Sequence, residues 1–289
     1  MSRGWAVAAY VAALLAWSAV VGIPNDPLGI LLWGWLATYV LRRHEGFWRD
    51  WWPVVLALVV YWLARGVTDD LTDALGLPVH FTDVIRADRW LSGLWGSDKT
   101  PTESLQAAWC GDPCLKNGDA RWWDVALNTV YASHFYVAMT LGVVLWVRSR
   151  DAWLDWMRHY VTILFAGLAG YLVYPTAPPW LASKEGLLGP VSRITSRGWS
   201  ELGLERQNIV MHGMGNQVAA MPSLHTGIAA LVAFWAISRL RSPWRWLLLL
   251  YPVAMGLALC YFAEHYVVDE VAGVAVAGMV MLAWRFSPR

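Results

Sequence analysis

The residues of this chain best suited to chemistry are two histidines and an aspartate. Met221-Pro222-Ser223-Leu224-His225 opens one long apolar run, and Glu264-His265-Tyr266-Val267-Val268-Asp269 opens another. His265 and Asp269 are spaced i,i+4, so on a helix they share a face. There the carboxylate can accept the imidazole N–H, fix the tautomer and raise the nucleophilicity of the opposite nitrogen. Pro222 suits a helix start. Ser223 can cap the first turn and so present free backbone N–H groups to a substrate anion. Two histidines and a carboxylate around one anion pocket fit phosphoryl transfer through a covalent phosphohistidine. In that chemistry His265 attacks phosphorus, Asp269 steadies the imidazolium, and His225 protonates the leaving oxygen. A single histidine at such a place more often makes an ordinary loop hydrogen bond; the matched pair favours catalysis.

The elements around them must bring both histidines to one depth. Forty residues separate His225 from His265, enough for a helix down, an Arg-rich turn and a helix back. At about 1.5 Å per residue that path returns the chain to the level it left. Composition demands such elements throughout. Of 289 residues, 57% are hydrophobic and only 15% charged, against about 25% charged in a soluble domain, which excludes an ordinary cytosolic globule. The chain reads as an all-α integral membrane protein with eight spans, near 5–23, 27–41, 51–67, 122–147, 160–174, 222–238, 244–262 and 266–284. The first run is too long for a signal peptide and lacks a clear cleavage site. With the N-terminus in the cytoplasm, the inner segments hold twelve arginines against four acidic residues, and the remainder holds ten cations against seventeen acids. That bias is the one short cytoplasmic loops carry. Both termini are then cytoplasmic and both histidines face outward. No polybasic tail, low-complexity tract or internal repeat points to nucleic acid.

The chain divides into N-terminal spans (1–67), an extracytoplasmic segment (68–121) and a membrane domain carrying the site (122–289). In the middle segment, Cys110-Gly-Asp-Pro-Cys114 forms a tight turn that a disulfide could close on an oxidising face; a metal site is the lesser alternative, since two thiols supply too few ligands. Cys260 reads as a buried small residue. Asp124, Asn128 and Tyr131 form a polar stripe on one helix that ends at His134, lining either an acceptor pocket or a helix–helix hydrogen bond. Arg65 and Asp69, also i,i+4, read as an outer-edge ion pair or a snorkelling arginine. Trp33, Trp35, Trp48, Trp51, Trp52, Trp122 and Trp123 read as interfacial belts and not as a cofactor box.

The segments Ala219–Gly227 and His265–Asp269 resemble the two catalytic motifs of the type-2 phosphatidic acid phosphatase superfamily, most closely its inositol phosphorylceramide synthase branch. Tyr174-Pro-Thr-Ala-Pro-Pro-Trp180 resembles a further proline-rich signature of that branch, and Tyr131–His134 resembles another of its segments. The resemblance covers residues 122–284. It implies a six-helix core, metal-independent chemistry without a cofactor, and the roles given above to His225, His265 and Asp269. Two features of the phosphatase members are missing. There is no Lys-x6-Arg-Pro motif, and Ala258 and Leu259 stand where a Ser-Arg pair would precede the nucleophile. Their loss favours headgroup transfer over hydrolysis and leaves the phosphate without its usual cations. Substitutes would come from Lys184, Arg193, Arg197, Arg206 and His212, with Arg206 and Asn208 favoured as substrate ligands beside Ser223, His134 and Tyr131. The expectation is a multipass enzyme of a bacterial plasma membrane, with its site outside. It moves a phosphorylated headgroup, inositol phosphate by likeness, from a lipid donor to an acceptor. The near alternative is a lipid phosphate phosphatase. A lipid carrier is the weaker rival, because repeated halves are absent and a carrier needs no His–Asp pair.

Overall fold

The computed structural model describes residues 3–20, 27–116, 118–195, 197–199 and 217–285, the side chains of residues 3, 28, 69, 70 and 73 excepted. Among these residues the structure is all-helical, with isolated β-bridges only. Helices α1 (Arg3–Val20), α2 (Pro27–Val40) and α3 (Phe47–Ala74) precede two short ones, α4 (Thr82–Gly93) and α5 (Pro101–Trp109). Next come α6 (Trp122–Arg148), α7 (Arg150–Val173) and the single turn α8 (Pro179–Lys184). Then α9 (Leu224–Arg239) leads through a 3-10 segment, Pro243–Leu249, into α10 (Leu250–Tyr261) and α11 (Val267–Arg285).

Each of the eight apolar runs is helical over most of its described residues. By length and composition, Phe47–Thr68, Trp122–Arg148, Pro243–Tyr261 and Val267–Arg285 can cross a membrane. Gly4–Val20, Gly29–Val40 and Leu224–Arg239 are apolar and shorter. The fifth run is longer than its apolar stretch predicts. Ser149 caps α7 through the Ala152 N–H, and the charged first turns are held by partners: Arg150 lies 3.2 Å from Asp50, and Asp155 accepts the Trp235 indole N–H at 2.7 Å.

At the Arg-rich end of the bundle, Trp51, Trp146 and Trp156 are wholly buried with Phe47, Leu31 and Met139. Trp51 is therefore a core residue and not part of an interfacial belt. Its ring stacks on Phe47 at 5.5 Å and meets Trp153 at 5.3 Å. The Trp156 indole N–H is satisfied by the Ala138 carbonyl at 3.0 Å, as a buried indole requires.

At the other end the helices α9 and α11 cross with their backbones nearly touching. A Cβ on Gly227 would lie 3.0 Å from the Gly273 carbonyl oxygen, and one on Gly273 would collide with the carbonyl of Ser223. Small residues permit such approach where lipid offers no hydrophobic drive for helix association. The crossing is locked by the Ser223 N–H, which donates to the Asp269 carbonyl at 2.9 Å. On the opposite flank, Gly170 and Gly167 of α7 leave space for Pro222 and Leu224.

The segment between α3 and α6 is not a loose loop. Its His80 exchanges backbone hydrogen bonds with Pro175 and Ala177, and Thr176 in turn pairs with Val218 and Ala220 (2.7–3.1 Å). The proline-rich stretch is thus a spine joining residue 80 to the approach to His225. Gln106 of α5 donates to the carbonyls of Ser192 and Tyr261. The Cys110–Cys114 disulfide is formed, with Cα atoms 5.1 Å apart, and Cys260 is buried. Asp88 of α4 accepts the N–H groups of Val267 and Val268 (3.3 and 3.1 Å), capping α11 from a distant part of the chain. Burial pushes the Asp88 carboxyl up to about 7; the two N–H bonds oppose the rise and the neighbouring Asp269 charge adds to it.

Two outcomes follow for stability. Gly273→Ala lowers the unfolding free energy by about 1–3 kcal/mol through overpacking. Gly278→Ala, whose Cβ would meet open space, leaves the thermal midpoint in detergent unchanged. Asp88 titrates near 7 when folded and about 3.9 when unfolded, so between those values the folded state holds the extra proton. Its contribution is fullest below about pH 4 and declines as pH rises toward about 7. Thermal scans across that range should show a decline that Asp88→Asn flattens. Parallel profiles for the two proteins would mean that Asp88 does not titrate there.

Candidate active site

Ser223 is the N-cap of α9, its hydroxyl accepting the Thr226 N–H at 3.4 Å, and its side chain is fully buried. That cap places His225 in the first turn, at the helix end where free N–H groups favour an anion. His265 arrives differently. It stands two residues ahead of α11 rather than on it, so the turn, and not a shared helix face, brings it to Asp269. The His265 Nδ1 lies 3.5 Å from Asp269 Oδ2. That is an ion-pair distance, and the expected hydrogen bond is not made. Asp269 Oδ2 instead accepts the Tyr266 N–H at 2.9 Å, one half of a capping box. Asp269 Oδ1 and His265 Nδ1 are buried without a hydrogen-bond partner.

The two motifs meet. The rings of His225 and His265 are 5.6 Å apart at 60°, near enough for one tetrahedral group to touch both. His134 comes closer still, 4.2 Å from His225, and Tyr131 stacks on His225 at 5.2 Å. Three imidazoles therefore share one pocket, walled by Phe135 and Phe262. The His134 Nδ1 and Thr226 Oγ1 are likewise buried and unpartnered. Such a concentration of unsatisfied polar atoms is unusual in a folded interior.

The polar stripe of α6 divides. Tyr131 and His134 face the pocket, while Asp124 and Asn128 anchor the loop after α8. Asp124 accepts the Tyr261 hydroxyl at 2.6 Å and pairs with Arg197 at 3.4 Å; Asn128 donates to the carbonyls of Thr195 and Arg197. Arg197 is consequently committed to Asp124, the Asp119 carbonyl and Cys110 Sγ. Arg193 bonds Glu264, the residue before His265, at 2.5 Å and lies over the Trp180 ring. Burial disfavours the Arg193 charge, but Glu264 outweighs it and holds the guanidinium above its ordinary value. Lys184 is exposed at the end of α8. Arg206, Asn208 and His212 lie outside the described residues.

A second polar group lies nearby that no motif announces. His80 stacks on Tyr174 at 3.7 Å, its Nδ1 is 2.6 Å from Asp83, and the Tyr174 hydroxyl donates to the same carboxylate. Burial would raise the Asp83 carboxyl, but those two hydrogen bonds prevail and hold it below its usual range. The three residues share no motif, and the β-bridge between His80 and Thr176 brings Tyr174 to the other two.

Residues 117–283 match the family described as the PAP2 superfamily. A protein of Bacteroides thetaiotaomicron named phosphoinositol dihydroceramide synthase is 26% identical over 212 residues, covering 68% of this chain and 66% of that protein, just under two thirds of its length. No solved structure matches. The family match takes in more than half of the chain and contains both histidine motifs, and the chain belongs to the PAP2 superfamily.

Proposed function

We propose that this protein is a membrane lipid phosphotransferase that passes a phosphorylated headgroup from a lipid donor to an alcohol acceptor. The observation that carries the proposal is the meeting of His225 and His265 at 5.6 Å, with Asp269 behind His265. Eight spans, cytoplasmic termini and a site at the outer leaflet fit the arginine distribution. The first step forms a bond from a His265 nitrogen to phosphorus as the bond from phosphorus to the donor's lipid oxygen breaks. His225 delivers its proton to that departing oxygen. Neutral His225 then takes the proton of an acceptor hydroxyl, whose oxygen displaces His265 from phosphorus. Asp269 favours the imidazolium form of His265 during both steps. Tyr131 and His134 flank His225 on the side where the acceptor would enter. Neither step needs a metal or cofactor. The name of the Bacteroides relative makes phosphoinositol the headgroup and a ceramide-like lipid the acceptor to try first.

The test follows phosphorus in protein reconstituted in a bilayer mimic, offered phosphatidylinositol or phosphatidic acid with and without a ceramide. Labelled phosphorus should appear on the acceptor lipid. His265→Ala and His225→Ala should each slow this by about a thousandfold or more. Water-soluble phosphate released regardless of acceptor would make the protein a lipid phosphatase. Equal inertness of wild type and His265→Ala on every donor would remove the catalytic reading.

A further inference from the structure

A phosphoryl group that passes between two imidazoles develops negative charge on its equatorial oxygens and needs a fixed cation beside them. The motifs that usually supply one are missing from this sequence, Arg197 is committed to Asp124, and Arg193 is bonded to Glu264. Arg65 of α3 is different. It enters no ion pair among the described residues, and its Nε is buried without a hydrogen-bond partner. An unpaired arginine inside a membrane-spanning segment is costly and marks a functional position by default.

Its surroundings say what it faces. One turn earlier, Tyr61 packs edge-on against Phe165 of α7 at 6.2 Å, so this face of α3 is turned onto α7. There α7 is thinned by Gly167 and Gly170, directly behind which lie Leu224 and Pro222 at the start of α9. The Arg65 charge reaches Tyr131 and His134 of α6, Tyr171 of α7 and His225 of α9. Its neighbours Trp62, Leu63 and Val67 are exposed on the outside of the bundle, and Gly66 borders open space. Arg65 thus stands at the rim between the lipid-facing surface and the three-histidine pocket.

We propose that Arg65, from a helix outside the 117–283 family match, is the phosphate-binding cation of this pocket, its guanidinium holding the phosphoryl oxygens of the lipid donor. The proposal rests on the transfer reaction above, and its ligand chemistry is a tetrahedral phosphoryl anion, whether lipid-borne or free. It replaces the outer-edge ion pair expected from the i,i+4 spacing to Asp69, whose side chain is outside the described residues.

Two probes separate the possibilities in bilayer-embedded protein. Orthovanadate mimics the transferring group without a lipid, and its binding is read as a rise in thermal midpoint and as inhibition. Phosphatidylinositol turnover reads the complete donor. Arg65→Gln should lower kcat/KM about a hundredfold, the loss expected for one transition-state donor, and abolish the vanadate-induced rise. Arg65→Lys should retain most of both, and millimolar guanidinium should restore turnover to Arg65→Ala. Loss of lipid turnover with vanadate binding intact would place Arg65 at the lipid entrance and overturn the phosphoryl contact. Wild-type behaviour in both arms would overturn it too, as would a lowered midpoint without ligand in all three variants together with normal vanadate binding. If Arg65→Gln does not fold, the Lys variant and guanidinium rescue decide the question alone. The underlying reaction is judged separately: His265→Ala with wild-type turnover defeats that reading, whatever Arg65 does to vanadate.

Discussion

The near-contact of the α9 and α11 backbones at Ser223, Gly227 and Gly273 is the constraint on which the rest of the structure depends. Two helices with the candidate histidines at or just before their starts can bring them together only if the backbones there, and not the side chains, touch. Glycines at 227 and 273 make that possible, and the hydrogen bond from the Ser223 N–H to the Asp269 carbonyl sets the register. His225 and His265 are then held with their rings 5.6 Å apart. A methyl group at position 273 would push the Ser223 carbonyl away and the two imidazoles with it. The shape of the pocket is therefore a consequence of what is missing from the crossing.

Helix ends at a membrane surface leave backbone N–H groups that must find partners, and here the partners come from far along the chain. Asp88 caps α11 across about 180 residues, and Asp269 satisfies the Tyr266 N–H locally. The Thr176 spine ties residue 80 to the approach to His225, and Asp124 and Asn128 hold the loop that follows α8. These polar clamps make the segment between α3 and α6 part of the site's support. Asp269 Oδ2 has two duties, accepting the Tyr266 N–H and facing His265, which explains why the imidazole stands 3.5 Å from it and no closer. The clamp at α11 also carries a buried carboxyl whose ionisation near neutral pH works against the fold.

Membership in the PAP2 superfamily accounts for the paired histidines, yet it says nothing of the residues before 117. Five helices precede the family match, and α3 among them carries Arg65, which enters no ion pair among the described residues. A membrane enzyme whose donor arrives laterally, already embedded in a leaflet, has reason to place its anion contact on a helix at the lipid-facing rim. A phosphate entering from water would meet the loops first. With Arg65 as the proposed phosphate ligand, the charge that the absent Lys-x6-Arg-Pro and Ser-Arg patterns would carry comes from another helix.

Local sequence was sufficient wherever the physics was local. Apolar runs of membrane length had to be helices, because unsatisfied backbone groups are not tolerated in lipid. The Cys110–Cys114 turn was short enough to close, and the Ser223 cap was legible from Pro222-Ser223 at the head of an apolar run. The paired depth of His225 and His265 followed from 40 residues and the helical rise. What the sequence could not contain was everything decided by contact between distant residues. Trp51 looked interfacial because its neighbours along the chain do; burial against Phe47 and Trp153 made it core. The i,i+4 rule put His265 on a helix, but the helix starts after it, since Asp269 and Asp88 cap the chain at Tyr266 and Val267. The stripe from Asp124 to His134 was one face in sequence and serves two purposes in space. Spacing determines which residues can share a surface; only packing determines which surface meets which, and it is packing that set three imidazoles in one pocket.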